Sequence, residues 1–122
     1  MKPNTSKLLE RRGGLPPGKL RRVKDYIEAH VDGDITFRTM AELVHMSPYH
    51  FAPLFKQSTG LSPHQYLLRQ RIRKATQLLQ DDRLSIMEIS RRLGFGRPAH
   101  FTTAFRKVVG IAPSQYRLKQ VK

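Results

Sequence analysis

Apolar residues recur at intervals of three or four along most of the chain, the period with which an α-helix buries one face. The first such stretch carries Leu20, Val23, Ile27 and Val31, with lysines and arginines between them, and ends before the Asp-Gly-Asp run at 32–34. Six further stretches follow, each opening near a serine, threonine or proline, which are residues favoured at helix starts. The pattern predicts an all-α protein of about seven helices.

Two of the predicted helix starts have the sequence of a capping box, in which a serine and the residue three positions later bond each other's backbone N–H. The first is Ser62 with Gln65, which opens a long helix over about 63–81. The second is Ser85 with Glu88, which opens a shorter helix that ends near Gly94. These local signals place the helix boundaries more firmly than periodicity alone.

The chain contains an internal repeat, because residues 48–70 match residues 98–120 at a constant offset of 50. The matched pairs are Pro48/Pro98, His50/His100, Phe51/Phe101, Phe55/Phe105, Gly60/Gly110, Pro63/Pro113, Gln65/Gln115 and Tyr66/Tyr116. Upstream the offset becomes 49, so the second copy carries one extra residue, which we expect at a turn because turns absorb insertions. The paired glycines are predicted helix stops that need a positive φ.

Each copy consists of a predicted helix, a short turn and a second helix, with a small residue (Ala41 or Ser90) where two crossing helices would approach. This is the helix-turn-helix arrangement, whose second helix enters a major groove about 12 Å wide. The intervening helix of roughly 18 residues would span about 27 Å. That length suits two recognition helices near the roughly 34 Å that separates successive major grooves on one DNA face.

The predicted organisation follows from these elements. Residues 1–18, rich in proline, glycine and basic residues, are read as a flexible tail or interdomain linker. Residues 19–122 form the predicted DNA-binding domain, with helix-turn-helix units at about 36–59 and 85–109, the linker helix at about 63–81 and a terminal helix at about 113–120. With 122 residues and 39% hydrophobic content, the chain supports one compact core or two small lobes.

Charge and composition reduce the range of functions that the chain could have. The chain has 23 Lys and Arg against 9 Asp and Glu, a formal net charge of +14, so a polyanion is the expected partner. Charge alone does not separate DNA from RNA or an acidic membrane. There is no cysteine, which excludes disulfides and thiolate metal sites. Without an apolar run of bilayer length or a signal peptide at Met1, we expect a soluble, cytoplasmic protein with no membrane partner.

Other chemistry finds little support in the sequence. No two of the five histidines stand four residues apart; they are His30, His45, His50, His64 and His100. A metal site is therefore not expected. The Gly-Phe-Gly run at 94–96 lacks the strand and further glycine of a dinucleotide site, and no nucleophile motif is present. We expect no cofactor and no enzymatic activity.

The ordered motifs resemble the AraC/XylS family of transcription regulators. They read Ser47-Pro48-x-His50-Phe51-x-x-x-Phe55-Lys56-x-x-x-Gly60-Leu61-Ser62-Pro63-x-x-Tyr66, Ile86-x-x-Ile89, Gly94-Phe95, His100-Phe101-x-x-x-Phe105-Arg106 and Pro113-x-x-Tyr116-Arg117. The resemblance covers nearly everything from Leu15 onward. It implies a tandem domain that binds double-stranded promoter DNA and usually activates transcription, often under a separate effector domain.

The resemblance also implies where DNA is read, by placing the recognition helices at 47–57 and 97–107. Groove-facing candidates are Tyr49, Ala52 and Pro53 in the first helix and Arg97, Ala99, His100 and Thr103 in the second. Pro53 departs from the family, which commonly has a polar or basic residue there, and a proline should kink the helix. We therefore expect the second unit to discriminate more. For His100, the match with His50 leaves packing against the partner helix as an alternative role.

Phosphate contacts are expected from polar and basic residues along the recognition helices: Ser47, Lys56, Thr102, Arg106 and Lys107. A basic run on the linker helix (Arg69, Arg71, Arg73 and Lys74) is either a phosphate contact or, more commonly, a solvated face. The aromatic residues at helical spacing are predicted core rather than base-stacking platforms; they are Phe51, Phe55, Tyr66, Phe101, Phe105 and Tyr116.

The predicted function is sequence-specific regulation of transcription, as an activator that works with RNA polymerase and whose isolated domain is monomeric. One alternative is a sequence-neutral basic protein that binds nucleic acid or shapes it. Another is a protein-interaction module with weak, salt-screened DNA binding. The ratio of specific to non-specific affinity separates these readings, because a regulator should show about 10³ or more.

Overall fold

The computed structural model describes residues 14–120 of the chain, so the first 13 residues of the predicted tail lie outside the described residues. Within that range there are seven α-helices and no strand. The helices are α1 (Pro17–Ala29), α2 (Phe37–Leu43), α3 (Pro48–Thr59), α4 (Pro63–Leu78), α5 (Ile86–Arg92), α6 (Pro98–Val109) and α7 (Pro113–Gln120). The all-α prediction is confirmed.

Both predicted capping boxes are present. The Ser62 N–H donates to Gln65 Oε1 at 3.0 Å, and the Gln65 N–H donates to Ser62 Oγ at 3.2 Å. At the start of α5 the reciprocal distances are 2.8 Å from the Ser85 N–H to Glu88 Oε1 and 3.0 Å from the Glu88 N–H to Ser85 Oγ. Hydrogen bonding from the backbone and side chain of Ser85 to the Glu88 carboxylate holds the pKa of that carboxyl below its ordinary value.

The helix stops also follow the sequence. Gly60 and Gly110 have φ values of 82° and 103°, the left-handed conformation that glycine adopts without steric cost. Their N–H groups donate to the carbonyls of Lys56 at 2.7 Å and Arg106 at 2.8 Å, which closes α3 and α6. Helix α4 ends at Leu78, earlier than the predicted 81, because the chain tightens there into single turns.

The beginning of the described chain differs from the expected flexible segment. Helix α1 begins at Pro17, and Leu15 is only 5% exposed. The Leu15 N–H donates to Ser58 Oγ on α3 at 2.9 Å. Because a proline at the first helical position needs no N–H partner, Pro17 starts the helix at once. Residues 14–18 are thus attached to the first helix-turn-helix unit.

Within the described residues, the helices divide into two compact units, residues 14–30 and 35–67 and residues 31–34 and 68–120. Helix α4 begins in the first unit and ends in the second. The core of the first unit contains mostly aliphatic side chains and two phenylalanines: Leu15, Val23, Ile27, Ile35, Met40, Ala41, Val44, Phe51, Phe55 and Leu67. The core of the second contains Ile72, Ala75, Leu79, Ile89, Leu93, Phe101, Ala104 and Phe105.

The sequence repeat is also a repeat of packing. In the first unit the rings of Phe51 and Phe55 lie 5.5 Å apart, and Tyr66 meets Phe55 edge-on at 5.3 Å. In the second unit the Phe101 and Phe105 rings lie 5.7 Å apart, and Tyr116 meets Phe105 nearly edge-on at 5.6 Å. All four phenylalanines are fully buried, whereas the two tyrosines are half-buried. On its buried side, each recognition helix therefore packs in the same way: its second phenylalanine contacts a tyrosine of the helix that follows.

Candidate nucleic-acid interface

The first helix-turn-helix unit consists of α2, the turn at 44–47 and α3. The turn closes through a hydrogen bond from the Met46 N–H to the Ala41 carbonyl at 3.0 Å. His45 lies within it in a left-handed conformation, with φ at 58°. The turn leads into Ser47, whose Oγ accepts the His50 N–H at 3.2 Å and so caps α3. This geometry fixes where the first recognition helix begins.

The second unit repeats that turn in α5 and α6. The Phe95 N–H donates to the Ser90 carbonyl at 3.0 Å, as Met46 does to Ala41 in the first copy. Gly94 takes the left-handed position with φ at 84°, where the first copy has His45. The offset changes from 49 at Phe95 to 50 at Pro98, so the extra residue of the second copy lies in the turn, as expected.

The outward side of α3 carries the candidates predicted for the first recognition helix. Tyr49 is 92% exposed, and Pro53 and Lys56 are also exposed. Ala52 is half-buried. The helix continues through Pro53 to Thr59, although the proline supplies no N–H to the Tyr49 carbonyl four residues earlier. The candidates therefore offer one aromatic hydroxyl and one terminal lysine, and His50 and Gln57 on the same helix are also exposed.

The outward side of α6 carries the candidates predicted for the second recognition helix. Among these candidates, Ala99, His100, Thr103, Arg106 and Lys107 on α6 and Arg97 just before it are exposed, while Thr102 is half-buried. Both His100 and its match His50 are exposed, so neither is buried in a core. The two helices thus share their buried side and differ on their outward side.

The caps of the two recognition helices also differ. Ser47 caps α3 through its Oγ, whereas Arg97, at the matching position before α6, makes no side-chain capping bond. The guanidinium of Arg97 is therefore not committed to the helix terminus. Ser47 Oγ accepts the His50 N–H and can still donate its hydroxyl proton outward.

Arg71, one of the basic residues of the linker helix, is committed to structure. Its Nε–H donates to the Val31 carbonyl at 3.0 Å and its Nη2 donates to the Gly33 carbonyl at 2.9 Å. The guanidinium lies against Gly94, where an added Cβ would stand 3.2 Å from it. Burial lowers the pKa of Arg71, and the charge of Asp34 opposes that effect. Among the basic residues of this run, Arg69 and Arg73 are exposed.

Arg117 has a similar structural role on α7. Its Nε–H donates to the Leu79 carbonyl at 3.0 Å and its Nη2 donates to the Asp81 carbonyl at 3.2 Å. These carbonyls follow the end of α4, so a cation there also complements the helix dipole. Sequence periodicity did not predict the structural roles of Arg71 and Arg117, because their hydrogen-bond acceptors are backbone carbonyls 36 to 40 residues away in sequence.

Over residues 14–120, no group of three or more histidines, cysteines, aspartates or glutamates is placed to hold a metal ion. None of the helices there is both long and apolar enough to cross a bilayer.

Comparison with known proteins gives a consistent result. A protein-family model described as a helix-turn-helix domain matches residues 40–119. Regulatory protein PocR of Salmonella typhimurium is 37% identical over 87 residues, which are 70% of this chain and 29% of PocR. The transcriptional activator RhaS of Salmonella schwarzengrund is 35% identical over 95 residues, 73% of this chain and 34% of RhaS. The chain thus spans about three tenths of the length of these relatives.

Solved structures show the same fold. A transcriptional regulator from Chromobacterium violaceum, described as having an AraC-type DNA-binding domain, superposes with a TM-score of 0.80 at 30% identity. The match covers 86% of this chain and 94% of that one. The DNA-binding domain of AdpA, solved in complex with a target DNA, superposes with a TM-score of 0.76 at 31% identity, over 82% of this chain and 90% of that one.

Proposed function

Because the chain belongs to the AraC/XylS family of helix-turn-helix regulators, we propose that it binds double-stranded promoter DNA sequence-specifically and regulates transcription as an activator. The observation that carries the proposal is the duplicated helix-turn-helix, in which each recognition helix is fixed by a buried aromatic cluster and has an exposed outward face. The AdpA domain in complex with a target DNA supports duplex DNA as the ligand.

The two recognition helices, α3 and α6, enter successive major grooves on one face of the duplex. Since their outward side chains differ, one chain binds an asymmetric site, with the two sets of contacts about 10 bp apart. A selected site with strict twofold symmetry that requires two chains would contradict this arrangement.

Base reading is concentrated in the second unit. Arg97 can donate two hydrogen bonds to a guanine, His100 and Thr103 can bond base edges, and Ala99 can contact a thymine methyl group. In the first unit Tyr49 is the candidate, since Pro53 at the position matching Thr103 cannot donate or accept a side-chain hydrogen bond. The exposed positions of all five candidates support this assignment.

Phosphate contacts fix the register of both helices. Ser47 donates its free hydroxyl proton beside α3, and Lys56 acts at the other end of that helix. Thr102, Arg106 and Lys107 do the same along α6. Charge-assisted bonds from these side chains add affinity that is independent of sequence and falls with salt.

The wider role follows from the proposed binding. The isolated domain acts as a monomer, because its two recognition helices belong to one chain. It has no enzymatic activity, functions in the cytoplasm and contacts RNA polymerase when it activates transcription. The activator relative RhaS supports activation rather than repression.

Selection of bound oligonucleotides from a random duplex pool tests the proposal directly. We expect a defined asymmetric site, bound about 10³-fold or more tightly than a scrambled duplex at the same salt concentration. An affinity ratio near one would instead identify a sequence-neutral basic protein. Weak binding that disappears entirely on adding salt would favour the protein-interaction module.

A further inference from the structure

Two shallow grooves border α1, both within the first unit, and they differ in charge. One, of about 310 Å³, is lined by Pro17, Leu20, Arg21, Lys24, Asp25 and Glu28, so its basic and acidic residues balance. The other, of about 320 Å³, is lined by Pro16, Gly18, Lys19, Arg22, Val44 and His45. No carboxylate lines the second groove, so its cationic side chains are not neutralised there.

The cationic groove adjoins the first recognition helix. Val44 and His45 belong to the turn that leads directly into α3, while Lys19 and Arg22 come from the first turns of α1. Lys19, Arg22 and His45 are all exposed. When a helix lies in the major groove, the phosphates of the backbone flank it, so basic groups next to its N-terminus are well placed to meet them.

The backbone at His45 supplies a second, independent observation. His45 is the one non-glycine residue with positive φ in the described part of the chain, at 58°. The second copy has Gly94 at the matching position, where no strain arises. Left-handed backbone costs free energy for a residue with a Cβ, and such strain is commonly retained where a side chain has a function. Here the strained residue brings an imidazole to the cationic groove.

We propose that Lys19, Arg22 and His45 form a binding site for a DNA backbone phosphate beside the first recognition helix. The inference rests on the proposed function and adds contacts that lie outside both recognition helices. The Arg22 guanidinium can donate two parallel hydrogen bonds to one phosphate, and the Lys19 ammonium adds a point charge. Pro16 and Val44 also line the groove and add apolar surface beside the basic groups.

A pair of double variants tests the site with matched charge. Lys19→Gln with Arg22→Gln removes two positive charges from the cationic groove, and Arg21→Gln with Lys24→Gln removes two from the balanced groove of the same helix. Affinity for the selected duplex is measured by fluorescence anisotropy between about 50 and 200 mM salt. Because the site binds one phosphate, we expect for the first variant a slope of log affinity against log salt shallower by about 0.9, hence about 3.5-fold less loss of affinity over that range. The control slope should match the wild type.

A single variant separates binding from folding. His45→Gly removes the imidazole and relieves the strained backbone, so the melting temperature should rise while affinity falls about 2- to 10-fold, the size of one lost hydrogen bond. Wild-type affinity in this variant, or equal slopes in the two double variants, would overturn the phosphate site. A wild-type chain that fails to distinguish the selected duplex from a scrambled one would instead overturn the proposed function.

Discussion

Replacing Ser90 with alanine tests the packing between the two helices of the second helix-turn-helix unit. Ser90 lies on α5 and is 1% exposed, and its Oγ is buried without a hydrogen-bond partner among the described residues. The matching residue of the first copy is Ala41, which is fully buried. The repeat therefore offers the same helix crossing with and without a buried hydroxyl.

The size of the effect follows from the cost of that hydroxyl. A buried polar group without a partner costs about 1–3 kcal/mol, and alanine also favours a helix interior by a few tenths of a kcal/mol over serine. Removing one oxygen leaves only a very small void. We expect Ser90→Ala to raise the free energy of unfolding by about 1–2 kcal/mol, which for a domain of this size corresponds to a melting temperature higher by about 4 °C or more.

Urea titration and calorimetry measure the change, with Ala41→Ser as the matched control. That variant places a hydroxyl at the equivalent buried position, so it should lower stability by a similar amount. An unchanged denaturant slope would show that the native and unfolded states keep their exposed areas. A Ser90→Ala variant less stable than the wild type would show that the hydroxyl has a hydrogen-bond partner and stabilises the fold.

Five further substitutions test base reading, the turn and the core. Arg97→Ala and Thr103→Ala should each weaken the preference for the selected base at one or two base pairs by about 1–3 kcal/mol, and Tyr49→Ala should weaken it by less. Oligonucleotide selection repeated with each variant measures this, and a selected site that changes only in the Tyr49→Ala variant would contradict it. Gly94→Ala should lower the free energy of unfolding, measured by thermal unfolding, by about 1–2 kcal/mol or more, because φ is 84° and the new Cβ would crowd the half-buried guanidinium of Arg71. Unchanged stability would show that the turn relaxes freely. Phe105→Ala should leave a cavity in the core and lower the free energy of unfolding, measured with urea, by about 3–5 kcal/mol. Weaker DNA binding by a variant that is still fully folded would show that the Phe105 ring does more than support the core.

The helices could be predicted from the sequence because their boundaries are set by short-range chemistry. The Ser85 and Glu88 side chains each bond a backbone group three residues away, so the residue types alone identify the start of α5. The Gly110 N–H donates to the Arg106 carbonyl, only four residues earlier. When the donor and the acceptor of a hydrogen bond lie this close in sequence, a short sequence motif identifies both of them.

The hydrogen bonds of Arg71 and Arg117 to distant backbone carbonyls could not be predicted in the same way. Arg71 bonds the carbonyls of Val31 and Gly33, groups that every residue carries and that no residue type marks. In sequence it is one of four basic residues on a helix, indistinguishable from Arg69 and Arg73. The cationic groove was missed for a related reason, since His45 joins the basic residues of α1 only after the chain folds.

The two copies of the repeat keep their interiors and differ at their surfaces, which bears on how the proposed DNA site is divided between them. On the buried sides of the recognition helices, Phe55 and Phe105 occupy equivalent positions. On the outward side, Pro53 of the first copy stands where the second has Thr103, so the first helix loses a group able to discriminate between bases. The proposed phosphate site at the turn before α3 gives that copy a different contribution, since backbone contacts supply affinity and register without depending on base identity. Specificity would then come mainly from α6, and removing the cationic groove should weaken binding to all duplexes about equally while leaving the selected sequence unchanged.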